Sequence, residues 1–188
     1  MKRNDFLKAC AAGVCGCSVL GLLLPDEARP EGTNGQATPV PDELARSKAA
    51  LDGARERFAT LLGVMAQQLD EPAYTGILKQ LGRECALKNA SFFEKYRGDL
   101  AGFVAAAKTS WLEKADFDEK AGLLRISGKP SPCYCPLVKT GRTPSRFCHC
   151  TLGWQEAAYS IILGKPVTAE IEETVLGGAS RCSFRIRT

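Results

Sequence analysis

The chain has 188 residues, of which 45% are hydrophobic and 24% are charged, and its formal net charge is +4 at pH 7. These values are typical of a globular protein of about one domain, long enough to bury a core without cross-links. The charge is modest and no basic run is interleaved with aromatic residues, which argues against a nucleic-acid partner. His149 is the single histidine, so the sequence argues against a histidine-rich metal site and gives little support for a Ser-His-Asp triad.

The N-terminus has the pattern of an export signal. Basic residues at positions 2, 3 and 8 precede an apolar stretch at 9–24, which is short for a membrane span but suits a signal peptide. The start resembles a twin-arginine signal, with Asn4 in place of the second arginine. We expect 1–24 to be a signal peptide or N-terminal anchor and 25–41 to be a linker rich in proline. The predicted location is the bacterial periplasm or cell envelope, with a possible membrane tether through the N-terminus.

Residues 42–188 are expected to form a single cysteine-rich domain that begins with helices. Apolar residues recur at helical spacing over 42–69, 72–85 and 100–112. Asp42 suits an N-cap, and Ser91 with Glu94 reads as a capping box. Cys85 lies on the apolar face of the second helix, where we expect it to pack as a small buried side chain.

The C-terminal half has a mixed pattern. Alternation predicts strands at 123–126, 167–175 and 182–186, the last two joined into a hairpin by a Gly-Gly turn, and helical spacing predicts a helix at 151–163. The predicted fold class is therefore α+β: a helical N-terminal half followed by a small antiparallel sheet with a C-terminal helix-hairpin unit.

Five of the nine cysteines gather in this half. Cys133 with Cys135, and Cys148 with Cys150, form two C-x-C pairs twelve residues apart, and Cys182 follows. Thiolates are soft ligands and zinc takes four in a tetrahedron, so a metal site is one hypothesis. Disulfides are a second, favoured by export and by the even number of domain cysteines. Inert buried thiols are a third.

Other side chains in this half each have two interpretations. His149 is either a ligand or general base, or simply solvated. Trp154 either lines a ligand pocket or packs in the core. Glu170 and Glu172 share a strand face, where they form either an acid–base or metal-binding pair or a solvated surface.

The order of the C-terminal motifs resembles the 4-vinyl-reductase domain and the related L-2-amino-thiazoline-4-carboxylic acid hydrolase-like family. The resemblance covers about residues 133–188, and the helical half has no motif to match. It rests on four segments: FCHCTLGW at 147–154, LGKPV at 163–167, EIEE at 170–173 and GASRCSF at 178–184.

This resemblance implies a ligand-binding fold with a helical half and an antiparallel sheet. Vinyl-reductase-type domains of phenol-sensing regulators are similar small-molecule binders that hold a structural zinc through cysteines and a glutamate. Thr174 stands near the place of one family cysteine. Cys133, Cys135 or the second cysteine of the 148/150 pair would take the place of that family cysteine. The matching ligands here are Cys182, Cys150 or Cys148, and Glu172.

Three functional hypotheses follow. The first is an exported small-molecule-binding domain with a cysteine-ligated zinc site. The second is a C–N hydrolase of small cyclic amides or thiazolines, using metal-bound water or a Cys–His pair. The third is a thiol redox or metal-handling protein. The helical half supplies few polar groups, which favours binding over catalysis. We further predict that Cys150 and Cys182 belong to one site that joins the 151–163 helix to the hairpin.

Overall fold

The computed structural model of the chain describes residues 40–188, with side chains from residue 42 onward. The predicted signal or anchor at 1–24, the linker and the three N-terminal cysteines lie outside the described residues. The helices of the first half are α1 (Val40–Gln68), α2 (Glu71–Leu87), α3 (Ala90–Glu94) and α4 (Leu100–Lys108). After them come β1 (Leu112–Asp118), β2 (Leu123–Gly128), α5 (His149–Leu163), β3 (Thr168–Glu173) and β4 (Ser183–Arg187).

The four strands form one antiparallel sheet in the order β1-β2-β4-β3. The predicted α+β fold class is confirmed, and the hairpin is the β3–β4 pair. The strand β1 was not predicted, because the helical pattern was expected to continue to residue 112. Instead α4 ends at Lys108 and the chain pairs with β2, so long-range strand pairing overrides the local pattern.

The sheet has an apolar inner face and a charged outer face, as period-two alternation requires. Leu124, Ile126 and Ile186 are almost fully buried on the inner face. On the outer face, Arg185 pairs with Glu172 at 2.9 Å and with Glu170 at 3.3 Å. The interpretation of Glu170 and Glu172 as a surface pair therefore agrees with the structure, although arginine as well as water surrounds them.

Helices α2 and α5 cross at two glycines. A side chain at Gly82 would meet the carbonyl oxygen of Cys150 at 1.7 Å, and one at Gly153 would meet that of Lys79 at 1.8 Å. The two backbones are thus in direct contact, which no residue larger than glycine permits. Beside the crossing, Lys79 Nζ binds Glu156 Oε1 at 2.6 Å, and the same oxygen accepts the β3 amide of Ala169 at 3.2 Å.

Two clusters of buried side chains hold the fold together. The main core lies between α5, the shorter helices and the inner sheet face, with Tyr159, Phe103 and Phe184 among its members. The smaller core joins α1 and α2 to the loop after β2, and it contains Leu62, Tyr74, Leu78, Val138 and Phe147. The predicted cysteine sites lie along the edges of these two cores.

Three local predictions are wrong. Leu44 and Leu51, two of the apolar residues at helical spacing in 42–69 that were expected to face the core, are 53% and 43% exposed, because only the second half of α1 packs against the rest of the domain. Asp42 lies inside the first turn of α1 and pairs with Arg46 rather than capping the helix. The capping box does not form, since α3 begins one residue before Ser91. Among residues 40–188, no helix has both the length and the apolar character that a bilayer span needs.

Candidate functional site: the cysteine cluster and the adjacent cleft

Four cysteines from three parts of the chain approach one another where α5 meets the end of the sheet. We call them the four-cysteine cluster: Cys133, Cys135, Cys148 and Cys182. Backbone hydrogen bonds tie these parts together, since Ser131 N–H donates to Ser180 O at 3.2 Å and Gly128 N–H donates to Cys182 O at 2.9 Å. The loop that carries the first C-x-C pair is thereby fixed against the start of β4.

Helix α1 secures the other side of that loop. Lys139 Nζ binds Asp52 at 2.6 Å and Arg142 binds Glu56 at 2.7 Å, while Arg55 donates to the carbonyl oxygen of Pro136. These contacts link residues more than 80 positions apart in the chain. The position of the first C-x-C pair therefore depends on a helix that carries none of the predicted ligands.

Thr174 and Val175 hold two of the sulfur atoms. The Thr174 hydroxyl forms a hydrogen bond with the Cys148 thiol, and it also accepts the Gly177 amide at 3.1 Å. The next amide, Val175 N–H, donates to Cys182 Sγ at 3.5 Å. Cys148 and Cys182 consequently lie against consecutive residues of one turn.

Burial and the charges of neighbouring thiols raise the pKa of two members of the cluster, Cys148 and Cys133. Burial raises the pKa of Cys148 to about 11, with smaller contributions from the charges of Cys182, Cys133 and Cys135, against the hydrogen bond from Thr174. Burial also raises the pKa of Cys133. Neutral thiols are weak nucleophiles and weak ligands, so Cys148 and Cys133 are the less reactive members of the cluster.

Cys150, the second cysteine of its C-x-C pair, has neighbours on α2 as well as in the cluster. Burial raises its pKa to about 12, and the charge that adds most to this effect is that of Cys85 on α2. Residues two apart on a helix point about 200° apart, so Cys148 and Cys150 at the start of α5 face different neighbours. Cys148 is the cysteine whose thiol shares a turn with Cys182, through Thr174 and Val175, and the shared Cys150–Cys182 site stays a prediction.

The metal hypothesis has suitable donors but not the spacing. Within residues 42–188, no three His, Cys, Asp or Glu side chains are arranged to hold a metal ion. The predicted ligand Glu172 instead pairs with Arg185 at 2.9 Å and with Arg125 at 3.6 Å on the outer sheet face. The zinc site therefore stays a prediction.

A cleft of about 410 Å³ opens beside the cluster. Thr174 lines it and thereby connects it to Cys148. We call this the His149 cleft, and the side chains that give it polar character are those of Ser145, Arg146, His149, Glu172, Glu173 and Thr174. The cleft brings together His149 and Glu172, which the sequence suggested separately, with Arg146 and Glu173, which it did not.

His149 is the unusual group of the cleft. Its Nδ1 atom is buried and has no hydrogen-bond partner among the described residues. Burial, followed by the positive charges of Arg146 and Lys79, lowers the pKa of the imidazole below its ordinary 6.5. Burying a ring nitrogen without a hydrogen-bond partner is unfavourable, and a bound group that forms a hydrogen bond with the imidazole would offset this free-energy cost.

Arg146 is held in place at the edge of the cleft. Its guanidinium lies 4.6 Å from the centre of the Tyr74 ring, and it also pairs with Glu71. These contacts come from α2, so the charge is positioned by a different element from the one that carries His149. The side chain is about two-fifths exposed and can still reach a ligand.

Trp154, the other predicted pocket residue, belongs to the core. Its ring packs edge-on against Phe93 with the ring centres 5.4 Å apart, and it does not line the His149 cleft. A second, more apolar groove of about 540 Å³ lies at the other end of α5, between α4 and β1, where Phe117 is 45% exposed. The groove has Asp99 as its one charged lining residue.

Comparisons with known proteins give a likeness of fold only. No protein-family model matches the chain, and no curated protein matches it. A trafficking protein particle complex subunit 3 from Naegleria fowleri, covalently bound to palmitic acid, has a TM-score of 0.49 and 15% identity over 74% of this chain and 95% of its own. The phenol-responsive sensory domain of the transcription activator PoxR, with phenol, has a TM-score of 0.47 and 14% identity over 71% and 73%. Likenesses this distant assign no function, so the family suggested by the C-terminal motifs stays a resemblance.

Proposed function

We propose that the domain binds a small polar molecule in the His149 cleft. The observation that supports this most directly is a cleft of about 410 Å³ lined by His149, whose buried Nδ1 atom has no hydrogen-bond partner among the described residues. That volume lies within the range of small-molecule sites, which combine a concave surface with a few converging polar groups.

The charges around His149 indicate the kind of ligand. Arg146 and Lys79 give this end of the cleft a positive field, which favours a carboxylate or carbonyl oxygen that accepts a hydrogen bond from the imidazole. Glu173 also lines the cleft, where a positively charged or hydrogen-bond-donating group suits its carboxylate, whereas Glu172 is already paired with Arg185 and Arg125. A small molecule with an acceptor at one end and a donor at the other matches this pattern.

The experiment measures binding of a panel of small carboxylates and amino acids to the full chain by calorimetry. His149→Ala should weaken the binding of any ligand found by about tenfold, the value of one hydrogen bond of about 1.4 kcal/mol. Arg97→Ala, which removes an exposed arginine far along the chain from the cleft, is the control and should bind as the wild type does. Binding that is absent from the whole panel, or that His149→Ala leaves unchanged, would contradict the proposal.

The hydrolase hypothesis receives less support. It needs a nucleophile within hydrogen-bond reach of a base, whereas His149 Nδ1 has no partner among the described residues. We therefore propose binding rather than catalysis for this cleft.

Export and zinc remain separate parts of the proposal, each with its own test. A fusion of residues 1–45 to a reporter that is active only outside the cytoplasm should give a signal if residues 1–24 direct export. Metal analysis of protein purified without oxidant should find about one zinc per chain if the cysteines bind it. Neither result bears on the His149 cleft.

A further inference from the structure

The arrangement of Cys148 and Cys182 points to chemistry of their own. Two short turns pack against each other: the 3-10 turn Ser145–Cys148, which ends on the first cysteine, and the 3-10 turn Val175–Gly177. The second turn begins where Thr174 contacts the Cys148 thiol and Val175 N–H donates to Cys182 Sγ at 3.5 Å. Consecutive residues at the start of one turn thus contact both thiols.

The two cysteines differ in access to solvent. Cys148 is 8% exposed, whereas Cys182 is half-buried at the start of β4. Cys182 is therefore the more accessible of the two to a reagent in solution, and Cys148 is shielded from solvent. Reactive thiol pairs commonly combine one accessible sulfur with one shielded sulfur, which completes the reaction.

We propose that Cys148 and Cys182 form a thiol–disulfide pair that exchanges with external disulfides. This activity goes beyond ligand binding in the His149 cleft and does not depend on it. In the forward direction, Cys182 loses its proton to water and its thiolate attacks one sulfur of the external disulfide, which releases one external thiol. Cys148 then loses its proton and attacks the mixed disulfide at Cys182, which releases the second external thiol. The protein pair is oxidised by two electrons and the external disulfide is reduced by the same two.

Other pairings have weaker support in the structure. The two cysteines of a C-x-C pair seldom bridge each other, for reasons of geometry, which disfavours Cys133 with Cys135. The thiols whose charges act on Cys150 are those of Cys85, Cys135 and Cys148. Cys133 also has a charge interaction with Cys182, and backbone bonds connect its loop to the start of β4, but Cys148 and Cys182 in addition have hydrogen-bond partners on adjacent residues.

The experiment equilibrates the reduced full chain with oxidised and reduced glutathione, blocks the remaining thiols and maps the tryptic peptides by mass spectrometry. Trypsin cleaves after Arg146 and Arg181, so the expected bridge joins the peptide that begins at Phe147 to the peptide that begins at Cys182. Because the first peptide also contains Cys150, the mapping is repeated with Cys150→Ser. The bridge should persist in that variant, and oxidation should raise the melting temperature of both proteins.

Cys148→Ser and Cys182→Ser should each lose the bridge and the rise in melting temperature, while the control Cys85→Ser should keep both. The mapping of the wild type decides the question even if a serine variant folds poorly. A bridge from Cys182 to any cysteine other than Cys148 would overturn the proposal. So would a wild type that forms no bridge at any glutathione ratio, or one whose cluster stays reduced because a tightly bound metal ion occupies it.

Discussion

Replacing Gly82 by alanine should separate the two central helices. The added Cβ would lie 1.7 Å from the Cys150 carbonyl oxygen and 2.8 Å from the Trp154 amide nitrogen, whereas ordinary contacts begin at 3.4 Å. The obstacle is backbone, so α2 and α5 must move apart by about 1.5 Å in a close-packed interior. Overpacking of this kind costs up to about 3 kcal/mol, and the helix propensity of alanine returns about 1 kcal/mol.

We therefore expect Gly82→Ala to lower the free energy of unfolding by about 2 kcal/mol, and the melting temperature by about 4–8 °C. The matched control is Gly76→Ala on the same helix, where nothing lies within 4 Å of the new Cβ. That change should stabilise the protein by about 0.5–1 kcal/mol. Urea and thermal unfolding measure both effects. If both variants shift stability in the same direction, the close contact between the helices is wrong.

Three further predictions concern charged groups. Glu156→Ala should lower the free energy of unfolding, measured in urea, by about 2–4 kcal/mol. The change leaves Lys79 Nζ without its carboxylate and the Ala169 amide without an acceptor. A loss of less than about 1 kcal/mol would show that water replaces both hydrogen bonds. The folded pKa of His149 is lowered by burial and nearby cations, so the unfolded chain binds this proton more tightly and stability should fall as pH drops below about 6.5. His149→Gln should therefore melt with a weaker pH dependence than the wild type, and identical profiles would contradict the burial of the ring. Arg185→Ala should lower the free energy of unfolding by about 1 kcal/mol at low salt, because Glu170 and Glu172 then repel each other. This loss of stability should be smaller in high salt. A loss that does not depend on salt would indicate that Arg185 stabilises the fold by packing instead.

Periodic patterns predicted the parts of the fold that local sequence controls. The helix over residues 42–69, the helix that begins near residue 151 and the final hairpin all form within a few residues of their expected bounds. The strand β1 could not be predicted in this way, because its pairing with β2 decides its conformation more than its own residues do.

The site was predictable as a set of residues but not as an arrangement. The sequence indicated that the cysteines matter, yet it could not say whether Cys148 or Cys150 approaches Cys182. That choice depends on the rotation of α5 about its axis, which the short turn Ser145–Cys148 sets. The roles of Arg146 and Thr174 come from contacts with other segments. No motif singled out Arg146, and Thr174 was noted only because it stands near the place of a family cysteine.

The order of the sheet has a consequence for biosynthesis. Strand β4 lies between β2 and β3, although it follows both of them in the chain. Until residues up to 187 have been synthesised, β2 and β3 each expose an apolar face and an unpaired edge, the condition in which nascent chains aggregate. A ribosome that pauses or terminates shortly before β4 would therefore release a chain whose helices can form but whose sheet cannot close. We expect such truncated chains to depend on chaperones or to be degraded, and the order of synthesis thereby limits how early this domain can fold.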